Sequence, residues 1–441
     1  MEFQHLSEAI LGIEADLLAF STPGDLAKDA LFKAVDSALA GVLTEAATAE
    51  SFEGKVGQVL SVRVGEGEQG RLKARRITVI GSGPKSSFAV PHIRDLAAHA
   101  AASAARFGAK HVVFVVPPSG SREAAAVQLA VEGVLGGTYR FDKYLTGEDA
   151  KKPSPIQLFS LVTDTKGKKP NAAQGRALKA AIHRGQVVGR AVCRARDYVN
   201  EPAQHMTPSQ LAEEAKEIVK VGAPHGLSIK VLNHKDCEKL GMGMFLAVDR
   251  GSEQEARLIH ITYTPAKKAK KRIALIGKGV TFDSGGYSLK PSQGMEDMKV
   301  DMSGAAAVIS AMAAIAELGS DHEIHAVAAC CENLVSGRAY KLGDVLIAMD
   351  GTTVEINNTD AEGRLTLGDA ITYARTKIEA QEIYDFATLT GACMVALGPY
   401  TAGVMSDHDG LIKPFLAAAE RAGEDMWRLP LNARLKEQLK S

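Results

Sequence analysis

The chain has 441 residues, 46% hydrophobic and 24% charged, a balance that buries a sizeable core without disulfide or metal staples and suits two packed domains. Its 52 basic and 52 acidic residues cancel, which removes the broad positive field that non-specific nucleic-acid or anionic-membrane binding draws on. The five cysteines include no CxxC pair, which argues against a disulfide framework or zinc knuckle and fits a reducing compartment.

Met1 to Ala19 scatters Glu2, His5, Glu8, Glu14 and Asp16 among apolar positions, so neither a secretion signal nor a membrane span is predicted and a cytoplasmic location is expected. The first third alternates β-rich runs with Ala-rich helical ones: Ile77 to Ile80, His92 to Ala105, His111 to Val116, Ser121 to Leu135. That βαβα rhythm predicts a sheet covered by helices. Gly81-Ser82-Gly83-Pro84-Lys85 lacks the full P-loop pattern, and Pro84 reads as a turn. From Thr163 to Lys169 the chain is polar, and a long helical pattern follows from Ala172 to about Val199. The boundary is placed there, giving an N-terminal α/β domain over 1–165, a connecting helix over 166–200 and a larger domain over 201–441.

After Met206-Thr207-Pro208 strands are predicted at Leu227 to Leu232, Ile259 to Tyr263, Ile273 to Ile276, Ile324 to Ala329, Val345 to Met349, Val354 to Ile356 and Ile383 to Thr388. Asp350-Gly351 is a hairpin signal, so this sheet is expected to be mixed and flanked by helices. The run Lys267 to Arg272 reads as a solvated connector. His322-Glu323-Ile324-His325 lacks the HExxH spacing, and Cys330 and Cys331 read as inert core residues. The fold class is thus α/β, with a smaller N-terminal and a larger C-terminal domain.

The chemistry concentrates in two places. Asn358 to Leu365 follows an apolar strand and precedes a helical pattern; if strand geometry continues, Asp360, Glu362 and Arg364 alternate toward one side. Upstream, Gly277 to Gly286 holds four glycines with Lys278 and Asp283, read as a tight loop beyond a strand, then come Lys290 and Asp301. Asp301 also reads as a helix N-cap, and Arg364 as a helix-start ion-pair partner. Asp283, Asp301, Asp360 and Glu362 carry four negative charges, and carboxylates crowded together stay ionised only with cations between them. Two divalent ions neutralise that sum, and the oxygen ligands suit magnesium, manganese or zinc.

Gly277 to Ala307 and Asn358 to Leu365 resemble the two signature regions of the leucyl aminopeptidase family, the hexameric two-metal exopeptidases. Similar stretches include Tyr139 to Asp142, Asp197 to Pro202, Cys331-Glu332-Asn333 and Thr388 to Ala392. The resemblance implies removal of N-terminal residues, apolar ones such as leucine preferred, from peptides with a free amino end. It implies one metal held by Asp283, Asp360 and Glu362 and a second by Lys278, Asp283, Asp301 and Glu362, the lysine as a neutral amine. Arg364, with Gly363 and Leu389 beside it, resembles the site of a bicarbonate that acts as general base, and Lys290 the lysine that stabilises the tetrahedral intermediate. A homohexamer of two trimers is implied, and neither membrane nor nucleic acid is expected as a partner. A non-catalytic or DNA-binding homologue on the same scaffold and a two-metal phosphoesterase are the competing expectations. Family chains continue past Leu439-Lys440-Ser441 with a segment that walls the side-chain pocket, so that segment is expected to be missing here.

Overall fold

The computed structural model describes residues 1–65, 72–147 and 155–440. The chain divides into two compact units, Met1–Arg190 with His408–Met426, and Ala191–Asp407 with the residues from Trp427 on.

In the first unit, six strands form one sheet: β1 (Glu2–Leu6), β2 (Leu17–Thr22), β3 (Val59–Arg63), β4 (Arg76–Gly81), β5 (His111–Val115) and β6 (Leu158–Val162), in the order β1-β6-β5-β2-β4-β3. All neighbours are parallel except β3, which runs antiparallel to β4 at the edge. Alternation sorts the side chains. Leu17 and Ala19 pack with α3 (Ile93–Phe107) and α4 (Glu123–Gly137), while Leu18 and Phe20 pack with α1 (Ala30–Ala38) and α2 (Val42–Ala49). The start of the long helix α5 (Ala172–Asn200) joins the first of these cores through Leu178, Ala181 and Ile182.

The second unit is built on β7 (Leu227–Leu232), β8 (Arg257–Tyr263), β9 (Arg272–Asp283), β10 (Glu323–Asn333) and β13 (Glu382–Phe386), ordered β13-β9-β10-β8-β7. β13, β9 and β10 pair in parallel, while β8 runs antiparallel to both of its neighbours, β10 and β7, so the sheet is mixed. Helices α6 (Pro208–Gly222) and α10 (Ser303–Leu318) cover the face of Ala326 and Ala328. Helix α8 (Gly243–Asp249), behind the short α7 (His234–Lys239), and α11 (Glu362–Tyr373) cover the face of Val327 and Ala329. The Asp350-Gly351 turn joins β11 (Val345–Ile347) to β12 (Thr353–Glu355) as a separate two-stranded ribbon. The mixing of the main sheet therefore comes from the reversed strand β8, not from that hairpin. Ser292–Leu318, which includes the short α9 (Ser292–Met295) and α10, is long and apolar enough to cross a membrane, yet over half of its apolar window is buried in the fold.

His325 belongs to a buried polar chain. Its Nδ1 lies 2.9 Å from His260 Nε2, whose Nδ1 meets the Tyr373 hydroxyl at 3.1 Å. On the other side His325 Nε2 lies 2.9 Å from Glu323, which Arg272 holds at 2.7 Å. Burial, then His325 and Lys230, push His260 down to about 4, and burial lowers His325 against the pull of Glu323. A histidine depressed in this way contributes stability that is fully present above its unfolded value of 6.5 and is lost as pH falls through about 4. Between pH 7 and pH 5 the protein is expected to lose about 2 kcal/mol from His260. Urea unfolding at both pH values checks it: His260→Leu should flatten the dependence, and an unchanged slope would count against the assignment.

Candidate metal centre

The glycine-rich stretch is not a loop throughout: β9 continues to Asp283. Gly277 sits inside the strand because α10 presses on it, and a Cβ there would lie 2.5 Å from Ala305 N. Only Gly285 and Gly286 take left-handed backbone, with φ of 85° and 61°. Between β9 and β10 the register passes from Cys331 opposite Val280 to Glu332 opposite Phe282. Thr281 is therefore an extra residue, a β-bulge, and its hydroxyl donates to Cys331 O at 3.3 Å. In a regular strand Lys278 and Asp283, five positions apart, would face opposite sides. The bulge resets the alternation and brings both into one site.

The other acidic residues come from helix starts. Asp301 lies in a 3-10 turn (Met298–Met302) before α10 and caps nothing. Strand geometry does not continue beyond β12: Thr359–Ala361 is a 3-10 turn and Glu362 opens α11. The expected alternation of Asp360, Glu362 and Arg364 is therefore replaced by helical spacing, in which residues two apart point in different directions. Glu362 is buried while Arg364 is exposed and, among the described residues, makes no hydrogen bond or ion pair. Gly363 lies against the lysine: a Cβ there would stand 2.7 Å from Lys278 Cε and 3.0 Å from Leu389 Cδ1.

Asp283, Asp301 and Glu362 each offer an oxygen within 4.8 Å of the others, and all three are buried. Lys278, 3% exposed, places Nζ 2.7 Å from Glu362 Oε1 and 2.8 Å from Asp301 Oδ1. Asp301 Oδ1 also accepts from the Thr388 hydroxyl at 2.9 Å. Lys290 pairs with Asp283 Oδ2 at 2.9 Å and with Asp360 Oδ1. Burial works against both ammoniums, yet Glu362 and Asp301 hold Lys278 above the ordinary lysine value, as Asp360 and Asp283 do Lys290. Burial lifts Asp301 well above the carboxylate range; Lys278 pulls it down, but burial and repulsion from Glu362 and Asp283 outweigh that. Burial raises Glu362 likewise.

Two ammoniums against four carboxylates leave the cluster short of positive charge. Glu362 Oε2 is buried without a hydrogen-bond partner, and such an atom costs free energy unless something electropositive meets it. An all-oxygen trio with an unmet lone pair fits a hard divalent cation.

Asn333, Thr359, Tyr340 and Thr388 complete the frame, and sequence reasoning gave none of them a role. Asn333 Nδ2 donates to Asp283 Oδ1 at 2.8 Å, the Tyr340 hydroxyl to Thr359 O at 2.7 Å, and the Thr359 hydroxyl to Gly285 O at 2.7 Å. The one available signal was a polar residue closing an apolar strand.

The chain is similar to known proteins along its whole length. Residues 193–441 match the model of the cytosol aminopeptidase family's catalytic domain, and residues 17–148 that of its N-terminal domain. A probable cytosol aminopeptidase of Alkaliphilus oremlandii is 40% identical over 444 residues, covering 100% of this chain and 86% of the relative. One of Thermosynechococcus vestitus is 38% identical, with the same coverage. A solved tomato leucine aminopeptidase mutant superposes with a TM-score of 0.88 at 34% identity, covering 100% of this chain and 84% of that one. The bottromycin maturation enzyme BotP in complex with Mn gives 0.80 at 31% identity, covering 97% and 84%. With both domain models matched and relatives aligned along the full chain, the protein belongs to the cytosol aminopeptidase family.

Proposed function

We propose that the chain is an aminopeptidase that removes single residues, leucine-like ones preferred, from the free amino ends of peptides, with 201–441 as the catalytic domain. The observation that carries the reading is the buried trio Asp283, Asp301 and Glu362 with its unpartnered Glu362 oxygen. Asp283, Asp360 and Glu362 would hold one divalent ion; Lys278, Asp283, Asp301 and Glu362 would hold the other. Manganese is supported by the manganese complex of the related BotP, and zinc or magnesium suits the same ligands. When bound, the ions would supply a Lewis acid for the peptide carbonyl and a water acidic enough to attack at neutral pH, and bicarbonate a general base.

The chain's own groups do the rest. Lys278 must give up its proton to serve as a ligand; Asp301 and Glu362, both within 2.8 Å, would themselves be anionic ligands, so that proton would leave to solvent as the ions bind. Lys290, held cationic at the rim, donates to the oxygen on which negative charge develops. The exposed Arg364, with Gly363 and Leu389, would hold the bicarbonate. A cytoplasmic location and a hexamer of two trimers accompany this reading.

Turnover of leucine p-nitroanilide with manganese or zinc is the test. Chelation should abolish it and metal return restore it; manganese shown to be bound without turnover on leucine or other apolar anilides would sink the proposal.

A further inference from the structure

We infer that Asn333 is the positioning residue for Asp283, an inference that rests on reading the acidic cluster as a divalent-ion site. Asn333 closes β10, directly opposite Asp283 in the ladder, and is 0% exposed. Its Nδ2 spends both protons on acceptors from different segments, Asp283 Oδ1 at 2.8 Å and Thr359 O at 3.0 Å. The amide orientation is dictated by those partners, since a carboxylate and a carbonyl can only accept. Gly286 packs against the other end, where a Cβ would stand 3.0 Å from Asn333 Oδ1, an oxygen buried without a hydrogen-bond partner.

Two consequences follow for Asp283. With Asn333 and the Gly285 amide, at 2.9 Å, both donating to Oδ1, the carboxylate plane is fixed and Oδ2 is left for Lys290 and an ion. Through Thr359 the same amide also ties Asp283 to the turn that carries Asp360, so two acidic segments far apart in sequence are set at one spacing. Asparagine suits the task because it supplies two N–H bonds without adding a fifth carboxylate to a cluster already short of positive charge. Outer partners that orient a ligand in this way commonly contribute 10–100-fold to metal affinity.

The test is titration of the full-length protein with manganese, reading free ion by electron paramagnetic resonance, together with kcat and KM on leucine p-nitroanilide. Asn333→Leu keeps the side chain's size and removes both donors. It should bind manganese about 10–100-fold more weakly, and at saturating manganese kcat should fall while KM stays within about twofold. Should that variant fail to fold, Asn333→Ser, too short to reach either acceptor, should show the same losses. Asp283→Asn serves as the control for the site itself. If the parent binds manganese, Asp283→Asn does not, and either folded Asn333 variant binds within twofold of the parent, the positioning role is overturned and the site reading stands. If the parent binds no manganese, both fall.

Discussion

Glu362→Gln is expected to abolish manganese binding and turnover together while leaving the protein folded. Glu362 is 1% exposed, pairs with Lys278 through Oε1 at 2.7 Å and leaves Oε2 without a partner. Glutamine preserves the volume and leaves an oxygen that can still accept from Lys278, so packing at the start of α11 is retained. What it removes is a negative charge from a cluster whose attraction for a cation is electrostatic, and it can place an N–H donor where a lone pair had faced the centre. Losing a ligand should cost more than losing an orienting partner, so the affinity is expected to fall by more than about 100-fold. Lys278 keeps its ion pair with Asp301 at 2.8 Å, which guards against an isolated buried charge and the large penalty that follows. Calorimetric titration with manganese, beside thermal unfolding, checks both halves. A variant that binds manganese as the parent does would remove Glu362 from the ligand set, and with it the trio.

How far the molecule could be foreseen depends on the scale of the feature. Alternation was enough to place strands such as Leu227–Leu232, observed at the expected residues, and the helical pattern from Ala172 matches α5. The ends of elements were less visible where two physical demands overlap. Gly277 and Gly279 look like loop formers because glycine is permissive, but they sit in β9 because α10 and β10 approach closely. The bulge at Thr281 leaves no mark in composition, yet without it Lys278 and Asp283 would not share a site. Likewise Asp360 and Glu362 meet the other acidic groups through a 3-10 turn feeding a helix, not through strand alternation. Residue type therefore announced the chemistry, while the backbone irregularities that assemble it, and the Asn333 amide between its segments, depend on contacts distant in sequence.

Lys290→Met should separate the two functions that the site asks of its lysines. Lys278 is enclosed by Asp301 and Glu362, whereas Lys290 stands further out, its side chain 17% exposed, bridging Asp283 and Asp360. Those carboxylates hold its pKa above the ordinary range against the effect of burial, so at any working pH it is a cation with protons to donate. Methionine keeps the chain length and removes charge and donors. Deleting one donor to a developing oxyanion typically costs about 10²–10³ in kcat, and that loss is expected here. Metal binding should move the other way or not at all: with the ammonium gone, Asp283 and Asp360 lose their internal counter-ion, and a divalent ion gains attraction. A kcat within about threefold of the parent would take Lys290 out of the reaction, and a loss of manganese affinity matching the loss of turnover would make it a structural support of the site. Turnover collapsing while manganese remains bound is the outcome expected of an oxyanion donor that is not itself a metal ligand.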